Sequence, residues 1–217
     1  NMVNNKKMIN ENKYWKWHYD RNKTPFTPSP FAHHVIKHYA QENHSLIELG
    51  CGNGRDAIYF ANKGLNVLAY DLCEEEIEFL SRNYPHPNLE FKVDDFTNLG
   101  KSLKCSLVYS RFTIHSISYK GQTAVLNWVS NILLDKGYFL LEARGKQNEL
   151  FKKGVPVEDE QDAYIYNNHY RRFLDFSETC KTLESIGLKI VEASEKNGFS
   201  PINGNDETLI RIVAQNI

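Results

Sequence analysis

The sequence predicts an α/β fold in which a mostly parallel sheet is covered by helices on both faces. From residue 45 onward, apolar strand-like runs alternate with segments of helical periodicity. The strand runs are continuously apolar, which indicates strands buried on both faces of a parallel sheet. The last two strand-like segments, LKIVEASEKNG and ETLIRIVAQNI, have no helix between them. We therefore expect that closing pair to be antiparallel.

The individual elements follow from local patterns. Residues 31–43 have helical periodicity. The next predicted elements are the strand SLIELGC, the helix RDAIYFANKG ended by Gly64, the strand LNVLAYDL and the helix EEEIEFLSRN with acids in its first turn. NLEFKVDDF and SLVYSRFTI predict two more strands, TAVLNWVSNILLDKG a long helix ending at Gly137, and YFLLEARG a fifth strand. After a polar stretch, FSETCKTLESIG predicts a helix with Ser177 as its N-cap.

Length and charge limit the possible functions. The 217 residues suffice for one α/β domain. We expect an N-terminal extension over residues 1–30 and a domain over 31–217 with an insertion at about 146–172. The 26 basic and 27 acidic residues give no general attraction to nucleic acid or anionic lipid. Four cysteines without a CxxC pair, a polar start and no membrane-length apolar run predict a cytoplasmic protein with reduced thiols.

The stretch LIELGCGNGRDA, residues 46–57, places glycines at positions 50, 52 and 54. A P-loop would continue Gly-Lys-Ser/Thr, whereas Arg55 and Asp56 follow here. The dinucleotide fingerprint needs its third glycine three residues after the second, and Arg55 occupies that position. An acid, Glu48, precedes the glycines. This order favours a ligand that has a positively charged amino acid end.

The next two strand ends carry carboxylates. Asp71 ends the second predicted strand, where a carboxylate can accept both hydroxyls of a ribose. Asp95 and Phe96 end the third strand and suit the amino group and the ring face of adenine. The carboxyl ends of parallel strands meet at the edge where open α/β sheets bind ligands. Together these features select S-adenosylmethionine.

In these motifs the sequence resembles the class I S-adenosylmethionine-dependent methyltransferases. The resemblance rests on ELGCGNGRD (48–56), VLAYDL (67–72), VDDF (93–96) and YSRFTIHS (109–116), which occur in the family's order. It covers roughly residues 31–217 and implies a Rossmann-like domain with a seven-stranded mixed sheet, one strand of which is antiparallel. It implies S-adenosylmethionine as cofactor and S-adenosylhomocysteine as product. The implied cofactor-binding residues are Glu48, Gly50, Gly52, Gly54, Asp71, Leu72, Asp95 and Phe96.

Simpler interpretations of these residues stay open. The glycines would also serve a tight strand–helix turn, and Asp71 would also cap the helix that begins at Glu74. The histidines at 33, 34 and 38 include a pair spaced for metal binding. No third ligand is evident, so we expect a solvated helix face and no metal site.

The methyl acceptor is predicted to approach the ends of the fourth and fifth strands. The catalytic candidates there are His115 and Arg111. The substrate-binding candidates are Tyr19, Arg144, His169, Tyr170, Arg171 and Arg172. Because the planar guanidinium matches phosphate and carboxylate oxygens, we hypothesise a small anionic acceptor. Alternatively, Arg171 and Arg172 pair with the acidic stretch at 158–162.

Three roles stay open for His115. It would deprotonate a hydroxyl acceptor, orient an oxygen that is already charged, or simply pack at the edge of the core. The stretches YSRFTIHSI, EARG, HYRRF and LIRIVAQ are also similar to bacterial methyltransferases associated with capsule and surface-polysaccharide modification. That group includes members considered to methylate phosphate or phosphoramidate groups.

The aromatic segment 14–31 is expected to fold over the cofactor as a lid. Three other functions compete with small-molecule methylation: a nucleic-acid methyltransferase, a cofactor-binding regulatory protein without activity, and a nicotinamide-dependent oxidoreductase. The neutral charge and the missing NPPY-like motif disfavour the first. The glycine spacing disfavours the third. No feature of the sequence indicates an oligomeric state.

Overall fold

The computed structural model describes residues 27–100 and 104–217. Tyr19 and most of the predicted lid lie outside these residues. The helices are α1 (Pro30–His38), α2 (Arg55–Asn62), α3 (Glu74–Asn83), α4 (Tyr119–Ile132) and α5 (Phe176–Ser185). The strands are β1 (Ser45–Leu49), β2 (Asn66–Asp71), β3 (Leu89–Val93), β4 (Cys105–Arg111), β5 (Leu133–Ala143), β6 (Val155–Pro156), β7 (Ala163–Tyr166), β8 (His169–Arg172), β9 (Leu188–Lys196) and β10 (Leu209–Asn216).

Seven strands form the main sheet, in the order β3-β2-β1-β4-β5-β10-β9. Strands β1 to β5 pair in parallel, and β10 is antiparallel to both of its neighbours. The prediction of a seven-stranded mixed sheet with one antiparallel strand is confirmed. The carboxyl ends of β1, β2, β3 and β4 therefore lie along one edge, as the motif argument requires.

Helices cover both faces of this sheet. One core cluster joins the strands to α4 and α5 through residues such as Val125 and Leu183. The other joins them to α1, α2 and α3 through Phe31, Phe60 and Ile77. Central strands contribute to both clusters because successive side chains point to opposite faces. The continuously apolar strand runs in the sequence have this physical origin.

Two helix boundaries differ from prediction. The helix α4 ends at Ile132 and not at Gly137, because Leu133 is buried and begins a strand that pairs with Cys105 of β4. The helix α5 is capped by Asp175 and not by Ser177, since the Asp175 side chain accepts a hydrogen bond from the N–H of Glu178 at 2.9 Å. In both cases tertiary pairing or a neighbouring cap residue overrides a pattern that is locally ambiguous.

The polar stretch 146–172 contains a small three-stranded antiparallel sheet, β6-β7-β8. Its hairpin turns at Asn167 and Asn168, whose φ angles are +50° and +61°. Two successive residues at positive φ are the requirement of a type I′ hairpin turn, and asparagine tolerates it. The flanking runs YIY and HYRR are so short that the sequence pattern does not distinguish them from an irregular loop.

Candidate functional site

The glycine loop joins β1 to α2, and all three of its glycines have positive φ: +72° at Gly50, +53° at Gly52 and +77° at Gly54. A Cβ on Gly50 would lie 2.7 Å from Thr113 Oγ1, and a Cβ on Gly54 would lie 3.0 Å from Leu80. A Cβ on Gly52 would meet no described protein atom within 4 Å. Gly50 and Gly54 thus serve a tight turn against the protein, as the simpler interpretation holds. Gly52 leaves the loop open on its outer side, where a ligand can approach.

Glu48 lies at the end of β1 directly before this loop and is buried. Its Oε2 has no hydrogen-bond partner among the described residues. Burial raises the pKa of the Glu48 carboxyl well above its usual range, and the Asp56 carboxylate adds to this, while Arg111 acts in the opposite direction. A buried carboxyl without a donor is costly unless a ligand supplies one. The cationic amino end of S-adenosylmethionine would do so.

Asp71 connects the end of β2 to the glycine loop. Its Oδ2 accepts the N–H of Gly52 at 2.9 Å, and its Oδ1 accepts the N–H of Cys73 at 3.0 Å. The N-cap of α3 is Cys73, so Asp71 does not cap that helix. Asp71 is half-buried and retains acceptor positions that can face a ribose. Leu72 beside it is 61% exposed and offers apolar surface at the same edge.

Asp95 and Phe96 differ in their exposure. Asp95 is exposed, and its Oδ1 accepts the N–H and the hydroxyl of Thr97 at 2.9 and 2.6 Å. Its Oδ2 has no hydrogen bond within the described part of the chain. Phe96 is 6% exposed and packs in the core with Leu49 and Tyr70. The structure therefore supports Asp95 as an available acceptor, but it does not support a free ring face of Phe96 for adenine.

Arg111 is held in a buried ion pair, which leaves it little capacity to act on a substrate. Its Nε donates to Glu142 Oε1 at 2.9 Å, and its Nη2 donates to Ser200 Oγ at 3.0 Å. Arg211 donates to the other oxygen of Glu142 at 2.8 and 3.1 Å. The register of β5 and β10 places Glu142 opposite Arg211. Two guanidinium groups share one carboxylate, which leaves positive charge near the end of β4.

His115 lies in the short 3-10 turn after β4 and is 4% exposed. Its Nδ1 accepts the main-chain N–H of Arg144 at 3.0 Å, and its Nε2 lies 3.2 Å from Nη1 of the same arginine. Burial lowers the pKa of His115 well below its usual range, with the charges of Arg144, Arg171, Arg111 and Arg172 acting in the same direction. The ring is therefore neutral at physiological pH. Because Nδ1 accepts, the ring proton sits on Nε2.

Three of the predicted substrate-binding residues have partners within the protein. Arg144 forms a forked pair with Glu207, at 2.7 and 3.2 Å. Arg172 is buried and donates to the carbonyls of Ile117 and Ile114, at 2.9 and 3.3 Å, and to the side chain of Gln122. The hydroxyl of Tyr170 donates to Glu160 at 2.7 Å.

Arg172 braces the turn that carries His115, which leaves its guanidinium little capacity for a substrate. It also lines a cavity of about 560 Å³ between the start of α4 and the start of α5. The other charged residues lining this cavity are Asp159, Glu160, Asp162, Asp175, Glu178 and Lys120. Five carboxylates against two cations make this cavity unsuited to an anion.

Arg171 is different, because no carboxylate of the described residues lies within ion-pair distance of it. Its Nη1 reaches only the carbonyl of Tyr166, at 3.4 Å. Burial and the nearby charge of Arg144 lower the pKa of Arg171, and Glu207 opposes them weakly. The alternative pairing of Arg171 with the stretch 158–162 is not found. His169, on the same strand, is exposed.

The sequence interpretation missed Phe112. This residue follows β4 with φ +56°, a conformation that is uncommon for a bulky residue and often marks a functional site. The guanidinium carbons of Arg111 and Arg144 lie 4.0 and 4.8 Å from its ring centroid. No sequence signal marks it, because positive φ is expected at glycine or asparagine and not at phenylalanine.

Comparison with known proteins agrees with this geometry. The family described as "Methyltransferase domain" matches residues 46–137. This segment is therefore similar to a methyltransferase domain. An S-adenosylmethionine-dependent methyltransferase from Methanosarcina mazei shares the fold with a TM-score of 0.71 and 20% identity, over 84% of this chain and 97% of its own. The 1,6-didemethyltoxoflavin-N1-methyltransferase of Burkholderia thailandensis, solved with 1,6-didemethyltoxoflavin and S-adenosylhomocysteine, has a TM-score of 0.64 and 17% identity, over 86% of this chain and 76% of its own.

One related sequence comes from Invertebrate iridescent virus 6, where a protein is provisionally named methyltransferase 235L. It is 31% identical over 93 residues, which are 42% of this chain and 34% of the viral protein. The chain therefore spans about a third of the length of the curated relative it matches. The family match covers β1 to β4 and α4, the part of the chain that contains Glu48, the glycine loop, Asp71 and Asp95.

The residues at this edge of the sheet have the chemistry that S-adenosylmethionine requires. Glu48 offers an orphaned buried carboxyl for the amino end, Asp71 a half-buried carboxylate for the ribose, and Asp95 an exposed oxygen for the base. Beside them, a Cβ on Gly52 would meet no described atom within 4 Å. These features lie on the ends of three adjacent strands, β1, β2 and β3.

A buried network that the sequence did not predict joins α1 to the start of α2. Asp56 accepts the N–H and the hydroxyl of Ser29, each at 2.7 Å, and the hydroxyl of Tyr109 at 2.7 Å. Ser29 also caps α1 through the N–H of Ala32 at 3.1 Å. The network fixes where the chain enters the domain, next to the glycine loop.

The histidines of α1 have protein partners. His33 Nδ1 lies 3.0 Å from the hydroxyl of Tyr59, and His34 Nε2 lies 2.9 Å from Glu192. Over residues 27–100 and 104–217, no group of three or more His, Cys, Asp or Glu side chains is placed to hold a metal ion. No helix in the same residues is long and apolar enough to cross a membrane.

Proposed function

We propose that this protein transfers the methyl group of S-adenosylmethionine to a small anionic acceptor. The observation that carries the acceptor class is Arg171. It is a half-buried cation beside Arg144, and it has no carboxylate within ion-pair distance among the described residues. A buried charge without a counter-charge is costly, so a ligand that supplies one is bound favourably.

Different residues of the chain would bind the cofactor and the acceptor. Bound S-adenosylmethionine would supply an electrophilic methyl group on a positively charged sulfur. Glu48, Asp71 and Asp95 would hold its amino end, ribose and base, so that the methyl group has a fixed position. Arg171 would hold the acceptor from the other side of the edge. Placement of this kind accounts for a large part of the rate of a two-substrate reaction.

The local field supports an anion. Arg111, Arg144, Arg171 and Arg172 all act on His115, whereas the whole chain carries a formal charge of −1. This local group of four arginines contrasts with the balanced charge of the whole chain. A nucleic-acid substrate would favour a basic face, so this alternative is weaker.

The candidate acceptors are phosphate, phosphoramidate and carboxylate oxygens and sugar hydroxyls. The similarity of HYRRF and LIRIVAQ to methyltransferases of capsule and surface-polysaccharide modification supports a role in that kind of biosynthesis. The same arginine-rich stretch carries both arguments. Arg171 favours the anionic acceptors over a neutral hydroxyl.

The test is a turnover assay with methyl-labelled S-adenosylmethionine and a panel of phosphorylated, carboxylated and neutral metabolites. We expect label only in anionic acceptors. Replacing Arg171 with glutamine should raise KM for the acceptor about 10- to 150-fold with kcat little changed, because a charge-assisted hydrogen bond contributes about 1.5–3 kcal/mol. The matched control is Arg82→Gln, which removes the same charge from the exposed last turn of α3.

Two outcomes would contradict the proposal. If the protein binds S-adenosylhomocysteine but labels no acceptor of any class, it is a cofactor-binding protein without activity. If Arg171→Gln and Arg82→Gln have equal kinetics on the accepted substrate, Arg171 does not hold the acceptor.

A further inference from the structure

We infer that the acceptor atom is an oxygen that is already an anion before it meets the methyl group, so that the product is a methyl ester of a carboxylate or a phosphate. This inference rests on the proposed function and narrows its substrate class. It excludes hydroxyl acceptors, which need a general base to remove their proton. Within residues 27–100 and 104–217, the buried candidate bases at the acceptor side are held by protein partners, and the exposed His169 is the candidate that the kinetics test.

His115 is the first candidate base, and its hydrogen bonds exclude it. A neutral imidazole has one accepting nitrogen, and here Nδ1 accepts the main-chain N–H of Arg144 at 3.0 Å. The other nitrogen therefore carries the ring proton and has no lone pair for a substrate proton, so the ring could take up a proton only at Nδ1, which is already occupied. The ring is 4% exposed and lies within the field of several arginines, where an imidazolium cation is disfavoured. His115 instead holds the main chain of Arg144 through Nδ1.

The nearby carboxylates are also engaged. Glu142 is fully buried, and each of its oxygens accepts from an arginine, Arg111 on one side and Arg211 on the other. Glu207 accepts hydrogen bonds from Nε and Nη2 of Arg144, and a further one from the side-chain amide of Asn148 at 3.3 Å. Neither carboxylate can accept a proton from a substrate without giving up an ion pair.

Two tyrosines close to this region act as hydrogen-bond donors. Tyr170 donates to Glu160 at 2.7 Å, and Tyr109 donates to Asp56 at 2.7 Å. Burial raises the pKa of both phenols above the usual range, so neither exists as a phenolate near neutral pH. His169 is exposed on β8, and no described partner orients its ring. Substitution of His169 therefore tests whether this ring acts as a base.

An oxyanion acceptor needs none of these groups. A lone pair of its oxygen forms the new O–C bond to the methyl carbon while the C–S bond breaks, and the electron pair of that bond stays on sulfur. The negative charge of the oxygen and the positive charge of the sulfonium disappear together, and no proton moves. Arg171 holds one oxygen of the carboxylate or phosphate, which leaves another oxygen free to attack.

The product's chemistry tests the inference. We would incubate the wild-type protein with labelled S-adenosylmethionine and with matched pairs of acceptors, and then isolate the products. The two acceptors of a pair have the same skeleton, but one is an acid and the other is an alcohol. A carboxylate ester releases labelled methanol in mild alkali, whereas a methyl phosphate shows its methyl proton signal split by phosphorus. Either result on the acid, with less than about a hundredth of that rate on the alcohol, supports the inference.

Kinetics give a second, independent readout. With no base to titrate, kcat should stay within about twofold from pH 6.5 to 9, and the solvent deuterium isotope effect should be close to one. An alkali-stable methyl group on an ether or amine would overturn the inference while leaving methyl transfer intact. A kcat that rises with pH and loses that dependence in His169→Gln would do the same. No labelled product from any acceptor would overturn the proposed function itself.

Discussion

Gly52 separates the turn-forming role of the glycine loop from its ligand-binding role, and alanine at this position tests the difference. With φ +53° and no described atom within 4 Å of an added Cβ, alanine would meet backbone strain but no clash inside the protein. Left-handed backbone costs a residue with a Cβ about 1–2 kcal/mol. For a domain of this size, each kcal/mol lowers Tm by about 2–4 °C, so Gly52→Ala should lose about 2–8 °C.

The effect on ligand binding should be separate from this loss of stability. The added methyl group occupies the open side of the loop, where the cofactor must approach the backbone, and we expect at least a tenfold weaker Kd for S-adenosylhomocysteine. At a concentration of 100 wild-type Kd, the ligand stabilises the wild type by about 2.7 kcal/mol. A tenfold weaker variant would gain only about 1.4 kcal/mol at the same concentration. Calorimetric titration and a thermal shift with and without ligand measure both quantities.

Gly187 is the matched control. It has φ +93°, no described atom lies within 4 Å of an added Cβ, and it precedes β9 at the end of the strand remote from the glycine loop. Gly187→Ala should therefore show the same fall in Tm with unchanged Kd. Wild-type affinity in Gly52→Ala would refute the assignment of this loop as the ligand seat. Equal affinity losses in the two variants would show that only global stability had changed.

Two further substitutions test buried groups. Glu48→Gln should weaken S-adenosylhomocysteine binding about 10- to 150-fold, because it removes the charge-assisted hydrogen bond between the Glu48 carboxylate and the amino group of the ligand. Such a bond contributes about 1.5–3 kcal/mol. Since burial raises the folded pKa of Glu48 above the unfolded value, the folded state binds more protons and wild-type stability falls as pH rises from about 4.3. Urea unfolding at pH 5 and pH 8 measures the difference in unfolding free energy between Glu48→Gln and the wild type. The variant should gain more over the wild type at pH 8 than at pH 5. A difference that does not change with pH would contradict this. Tyr109→Phe removes the 2.7 Å hydrogen bond to Asp56 and should cost about 1–3 kcal/mol in the same urea assay; a change below about 0.5 kcal/mol would show that Ser29 alone satisfies the carboxylate.

The cofactor half of the fold could be predicted because its signals are local. Glu48, the three glycines and Asp71 lie within or next to single turns, and the sequence that forms each turn also carries its functional group. The parallel sheet and its antiparallel closing pair followed from the alternation of strands and helices. The number of strands came from the family resemblance, and the ligand-binding edge came from the spacing of the motifs.

The acceptor half could not be predicted to the same depth because its contacts depend on register between distant strands. Arg111 looks available in the sequence, but β4 places it beside Glu142, and β10 returns antiparallel to place Arg211 on the same carboxylate. Arg144 meets Glu207, 63 residues away along the chain. Spacing along the sequence carries no information about such pairs.

Charge pairing across these strands is also the basis of the selectivity that we propose for the acceptor side. Glu142 forms ion pairs with both Arg111 and Arg211, and Glu207 forms an ion pair with Arg144. The guanidinium of Arg172 donates hydrogen bonds to main-chain carbonyls and to Gln122. Each of these arginines is fixed in place and has little capacity left for a ligand. Arg171 alone, among the arginines that act on His115, has no such partner in the described residues. A cluster that looks generally basic in sequence thus reduces to one available guanidinium, which favours a small acceptor with one anionic group over a polyanion.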